Sequence, residues 1–174
     1  MSEPAEAAAT EATRLPEAAR GKLATVHAQG TTHFDAPPEE VWRIAIHPDA
    51  LAKTMPGVER VEVADDAQWT AHVKIPLGLL RPRLELACSI EDRHEPESAL
   101  LVARGEHRKA GGVKMTTSFA LAPNENGTEM RWRAEVELSG RISAVGEKML
   151  RPLVDRQVAK VMASLQEQVR AGAA

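Results

Sequence analysis

Six histidines, at positions 27, 33, 47, 72, 94 and 107, and one cysteine, Cys88, are the side chains best suited to metal binding or nucleophilic chemistry in this chain. Their spacing argues against both. No two histidines stand three or four residues apart on one helical face, and neither His-x-Glu nor Cys-x-x-Cys occurs, so no metal set is expected. A lone cysteine excludes an internal disulfide, and Cys88 is expected to face the core as a small hydrophobe. There is no Gly-x-Ser-x-Gly elbow, phosphate loop or dinucleotide fingerprint. Asp65-Asp66 and Glu91-Asp92 pair acids, but each fits a surface turn or a strand end. His72 and His94 are most simply solvated. His107 has a case for access to a pocket, against exposure beside Arg108 and Lys109. No catalytic residue, metal or cofactor is expected.

Composition narrows the class further. The 174 residues suit one domain with a real core, and 43% hydrophobic with 27% charged residues is the balance of a soluble globular protein. A net charge of −3 and a pI near 6.1 argue against a general nucleic-acid binder. No 18-residue apolar run is present to span a membrane, and the acidic N-terminus is not that of a secretory signal. The expected location is cytoplasmic, with peripheral contact at the inner membrane face as a further option. Aromatic residues make up only 3%, with no Tyr, so a cavity here would be walled mostly by Leu, Val, Met and Ala and would lack a phenol.

The elements that would position such a wall can be read from periodicity. Residues 1–20 are Ala/Glu-biased with few large apolar side chains, and are expected to be a disordered tail; residues 21–172 are expected to form a single domain. From Lys22 the pattern has period two, with Ala24, Val26, Ala28, Gly30, Thr32 and Phe34 on one face. Pro37-Pro38 can sit only at a helix entrance, followed by Glu39 and Glu40 where the helix dipole favours acids. Val41, Ile44 and Ala45 supply that helix's apolar face; Pro48 opens a second short helix and Pro56-Gly57 closes it. Further alternation predicts strands at 58–63, 68–75, 83–90, 99–107, 113–121 and 130–138, with Asn124-Glu-Asn126-Gly127 as the clearest hairpin. Arg141 to about Arg170 reads as one helix interrupted by Pro152, where a kink is expected, or a break between two helices.

This order describes an α+β helix-grip architecture. A curved antiparallel sheet of about seven strands follows two short helices inserted after strand 1, and the long C-terminal helix covers the concave face. Strand 99–107 is ambiguous in phase: Leu101, Ala103, Gly105 and His107 share one face, Leu100, Val102, Arg104 and Glu106 the other. The first face is taken as concave, because an inward Arg104 and Glu106 would need a buried ion pair. Its small residues would leave volume for a ligand; a glycine bulge in a curved strand is the alternative. The expected lining is Leu84, Leu86, Leu101, Ala103, Gly105, His107, Met115, Phe119, Trp132, Val145, Met149 and Leu153. One segment is out of place: Leu77, Leu79 and Leu80 lie between Pro76 and Pro82, beside Arg81, in a stretch that should be a polar loop. They either fold inward as a lid or form a patch for a membrane or partner.

These residues resemble the CoxG family, named for the G subunit of carbon monoxide dehydrogenase, within the START-like, or SRPBCC, superfamily. The likeness rests on Gly30, Phe34-x-Ala36-Pro37 with Val41-Trp42, His47-Pro48 with Leu51, and Met55-Pro56-Gly57, and extends from about Leu23 to Val169. The Ala-Pro and Val-Trp pairs are common to the superfamily; the Pro-Gly after the second helix is more particular to the family, which usually has Ile before it. The resemblance implies a deep hydrophobic cavity, ligands of lipid or quinone type, and an accessory, maturation or membrane-recruitment role for a molybdenum hydroxylase. It supplies no agreed catalytic residues, and with the chain ending soon after the last helix, constitutive anchoring is not expected. The other classes are an enzyme of the polyketide cyclase or dehydratase kind, which would need His107 clustered with Arg104 or Glu85 inside the cavity, and a protein-interaction adaptor with a filled core.

Overall fold

A computed structural model describes residues 23–55, 57–75 and 81–172. The tail expected over 1–20 and the leucines at 77, 79 and 80 lie outside the described residues. Seven antiparallel strands form one sheet: β1 (Leu23–Phe34), β2 (Val58–Val63), β3 (Gln68–Lys74), β4 (Arg83–His94), β5 (Ser98–His107), β6 (Gly111–Asn124) and β7 (Gly127–Ser139). Their order is β1-β7-β6-β5-β4-β3-β2, so the first two strands of the sequence form the two edges. Two helices, α1 (Pro38–Ala45) and α2 (Pro48–Thr54), connect those edges, and α3 (Glu147–Gly172) closes the chain.

Register explains which face is dry. One row of cross-strand partners runs Val63, Trp69, Cys88, Ala103, Met115, Val136 and Val26 across all seven strands. Directly paired residues project to the same side, so this apolar row marks the face that meets the helices. It also settles strand β5, placing Leu101, Ala103, Gly105 and His107 on the concave face and Arg104 and Glu106 outside. The Asn124–Gly127 hairpin forms as expected: those two residues pair, and the Asn126 N–H donates to Asn124 Oδ1 at 3.0 Å.

The two short helices sit where the proline pattern puts them. Pro37 caps α1 and Pro38 occupies its first position, with Glu39 and Glu40 in the first turn. The inward face differs from expectation by one residue: Val41, Trp42 and Ala45 are buried, whereas Ile44 is only half-buried. Trp42 packs against Phe119 of β6, ring centroids 5.9 Å apart and tilted by 56°, and so joins α1 to the sheet.

The long helix begins later than the sequence suggests. Gly140–Val145 forms a 3₁₀ turn, and Gly146, at φ 81°, separates it from α3 in a conformation that a helix cannot continue through. Val145 therefore belongs to the turn and not to the roof helix. Pro152 lies inside a continuous α3 rather than between two helices. At 1.5 Å per residue the helix is about 39 Å long, enough to cross the sheet.

Candidate ligand site

The two ends of α3 and its middle are packed differently. Leu150 near one end, and Leu165 and Val169 near the other, are buried. Between them Leu153, Val154, Val158, Val161 and Met162 are all only half-buried. The same is true of the sheet opposite, where Leu101, Met115, Thr117, Trp132, Ala134 and Val136 keep partial access to solvent. Two apolar surfaces in direct contact would exclude water from each other. Half-burial on both sides means that the middle turns of α3, though packed against the core, shield the sheet from water less completely than its ends do.

The looser packing is most open beside the edge strand. A groove of about 860 Å³ lies between β1 and α3. His27, Ala28, Gln29, Thr32, Trp132 and Arg133 line it from the sheet, and Val158, Ala159 and Met162 from the helix. Arg151 and Asp155 stand at its rim with exposed side chains. Trp132 is held in this wall by a hydrogen bond from its Nε1 to Thr32 Oγ1 at 3.1 Å. A second depression, of about 800 Å³, includes Arg131, Arg133, His94 and Asp92 on the solvent side of the sheet. Its charged lining fits a wet surface.

The residues expected to line a cavity divide into groups. Trp132 lines the groove, whereas Leu101, Met115 and Leu153 are half-buried and packed against the core. Leu84, Leu86, Ala103 and Phe119 lie on the same face but are packed into the solid core. Gly105 leaves no free volume. A Cβ there would stand 2.6 Å from Leu86 Cδ2 and 2.7 Å from the Glu85 carbonyl, so the glycine lets β4 pass close by. His107 is engaged locally: its Nδ1 accepts hydrogen bonds from the backbone N–H groups of Lys109 and Ala110, at 3.2 and 3.1 Å, in the β5–β6 turn. Met149 is 64% exposed on the first turn of α3, because the helix starts at Glu147 and turns that residue outward. Of the proposed membrane or partner patch, Arg81 alone is described, and it is exposed.

The titratable side chains do not gather inside. Arg104 and Glu85 lie on the outer face and His107 on the inner one, so the cluster that would support acid–base catalysis does not form. Three other histidines pair with acids: His27 with Glu135 at 3.2 Å, His33 with Asp35 at 3.3 Å and His72 with Glu62 at 3.5 Å. Among the described residues, no three His, Cys, Asp or Glu side chains gather as a metal site. Burial pushes the Cys88 thiol up to about 11, opposed by a weaker backbone hydrogen bond from Ala71, so it is a neutral core group.

Sequence reasoning passes over Gln157, whose Oε1 is buried without a hydrogen-bond partner among the described residues. The signal was available. Gln157 shares a helical stripe with Leu150, Val154, Val161 and Leu165, and is the polar member of an otherwise apolar series.

A seven-stranded antiparallel sheet gripping a long terminal helix defines a helix-grip protein. Within that class, the sequence profile of CoxG, the G subunit of carbon monoxide dehydrogenase, matches residues 30–170, and the chain belongs to that family. Among solved structures it resembles a conserved protein from Geobacillus kaustophilus, with TM-score 0.76 and 20% identity over 84% of this chain and 96% of that one. A protein of Thermus thermophilus, TTHA0849, gives TM-score 0.62 and 20% identity over 86% and 99%. Ara h 8.0201 gives 0.60 and 10% identity over 86% and 99%. Among curated proteins, none matches the chain significantly. Among the described residues, no helix is long and apolar enough to cross a membrane.

Proposed function

We propose that this protein binds a hydrophobic small molecule of lipid or quinone type between its sheet and α3, without catalysing a reaction on it. The observation that carries this reading is the half-burial of both facing apolar surfaces under the middle of α3. Filling that space with an apolar ligand gains roughly 25 cal/mol per Å² of surface removed from water, with a few polar groups left to set orientation. Family membership supports an accessory role, in maturation or membrane recruitment, beside a molybdenum hydroxylase such as a carbon monoxide dehydrogenase-like enzyme. In that role Leu77, Leu79 and Leu80, with Arg81, are the proposed contact with a membrane or with the partner enzyme. Native mass spectrometry of protein purified from its own host, followed by organic extraction, tests the reading. A co-purified apolar molecule of defined mass is expected. A ligand-free spectrum, together with no uptake of added lipid or quinone, would favour an adaptor with a filled core.

A further inference from the structure

The net charge of −3 conceals an uneven distribution. At the end of the sheet where Leu23 pairs with Ser139, the side chains of Arg81, Arg83, Arg108, Lys109, Arg141 and Lys148 are exposed. They outnumber the acids there, Glu59, Glu106 and Glu147. The exposed acids Asp65, Asp66, Glu95, Glu97 and Glu125 stand at the opposite end, between strands or beside their ends. Helix α3 starts at the basic end, since the turn Gly140–Val145 follows Ser139. Its later turns reach the other end of β1, where Gln166 donates to the His33 carbonyl at 2.8 Å.

The groove beside β1 follows the same direction and changes character along it. Arg151 and Asp155 border it near the start of α3, and Val158, Ala159 and Met162 further along, about 16 Å of helix in all. On the sheet side His27 comes first, then Thr32 with the indole of Trp132 bonded to it. Because β1 is an edge strand, residues on its outer face also border the groove: His27, Gln29 and, paired with Gln29, Arg133. The charges in this lining do not cancel. His27 is already matched by Glu135 at 3.2 Å. Arg133 and Arg151 make no ion pair among the described residues, and Asp155 is the one acid among the lining residues. Two guanidinium groups against one carboxylate, at the basic end of the molecule, leave a positive surplus that draws anions towards the groove. A guanidinium can also hold a carboxylate through two N–H groups at once.

We infer that the groove takes a single-chain amphiphile with a carboxylate head, the head near Arg151 and Arg133 and the tail against Trp132, Val158 and Met162. This rests on the binding function proposed above. The test uses the full chain loaded with Nile red, a neutral apolar dye, and displaced by dodecanoate, dodecyltrimethylammonium or 1-dodecanol. Wild-type protein should release dye to dodecanoate at about fivefold lower concentration than to the cation, and the difference should shrink at about 1 M salt. Arg133→Gln and Arg151→Gln should each weaken dodecanoate about threefold and leave 1-dodecanol unchanged, whereas Asp155→Asn should strengthen dodecanoate. Arg156→Gln, exposed on α3 but outside the lining, should change neither. Equal displacement by the two charged competitors, with the dye bound, overturns the anionic preference and leaves the binding function standing. Dodecanoate affinity that is unchanged in both groove variants, or reduced as much by Arg156→Gln, overturns the placement of the head and likewise leaves binding standing. Failure of wild-type protein to bind Nile red overturns both.

Discussion

The indole of Trp132 occupies the space that a side chain at Gly30 would need: a Cβ on Gly30 would stand 2.7 Å from Trp132 Cζ2 and 3.1 Å from Cε2. The two are direct partners across β1 and β7. Trp132 is also tied two residues further along β1 through its hydrogen bond to Thr32. The missing side chain at Gly30 and the hydroxyl at Thr32 together set where one wall of the groove stands.

Gly30→Ala should therefore displace Trp132. The cost expected from forcing extra volume into a fitted position is about 1–3 kcal/mol, read by urea denaturation. Tryptophan emission should shift to the red as the indole moves towards water. Unchanged emission with unchanged stability would mean that the indole has room to move aside within the wall.

Trp42 presents the opposite case, a buried donor without an acceptor among the described residues. Trp42→Phe removes that N–H while keeping a ring against Phe119, and the expected loss is below about 1.5 kcal/mol. Trp42→Ala removes the ring as well and should cost about 3–5 kcal/mol. Equal losses from the two substitutions, measured by the same denaturation, would show that the indole N–H is satisfied after all.

Cys88 gives the fold a dependence on alkaline pH. Its thiol is raised from 9.0 to about 11 in the folded protein, chiefly by burial. Between those values the unfolded chain releases a proton that the folded chain retains, so stability falls as pH rises through the window and levels off above it. The full effect is on the order of 2 kcal/mol. Cys88→Ala should remove that part of the slope. Identical slopes for variant and wild type between pH 8 and pH 11 would contradict it.

Both ends of α3 have buried side chains, but side-chain hydrogen bonds and ion pairs hold only its C-terminal end among the described residues. Gln166, Gln168 and Arg170 tie its C-terminal turns to His33, Ala50 and Asp35, whereas no side-chain hydrogen bond or ion pair holds residues 147–162. Pro152 lies in that free half and removes the bond to the Lys148 carbonyl. Pro152→Ala should slow ligand exchange, measured by stopped-flow displacement of bound dye, more than it changes melting temperature. Equal exchange rates in the two proteins would remove Pro152 as the weak point of the roof.

Much of this architecture is a local property of the chain. Alternation with period two identifies the strands and their dry faces without knowledge of their neighbours, since successive side chains must point to opposite sides. Pro37-Pro38 and Pro48 mark the starts of α1 and α2 because a residue without an N–H fits only a helix entrance. These signals suffice for the element order and for membership of the family; the inward phase of Leu101 and Ala103 needs the further argument that the opposite phase would bury Arg104 and Glu106. What depends on residues distant in sequence is not legible in the same way. Gly105 reads as free volume in strand β5, but Leu86 and the Glu85 carbonyl of β4 fill it. Met149 fits an apolar helical stripe until the start of α3 after Gly146 turns it outward. The looser cover beneath the middle of α3 arises because its ends find fully buried seats that its middle does not, and that balance of packing appears only when sheet and helix are brought together.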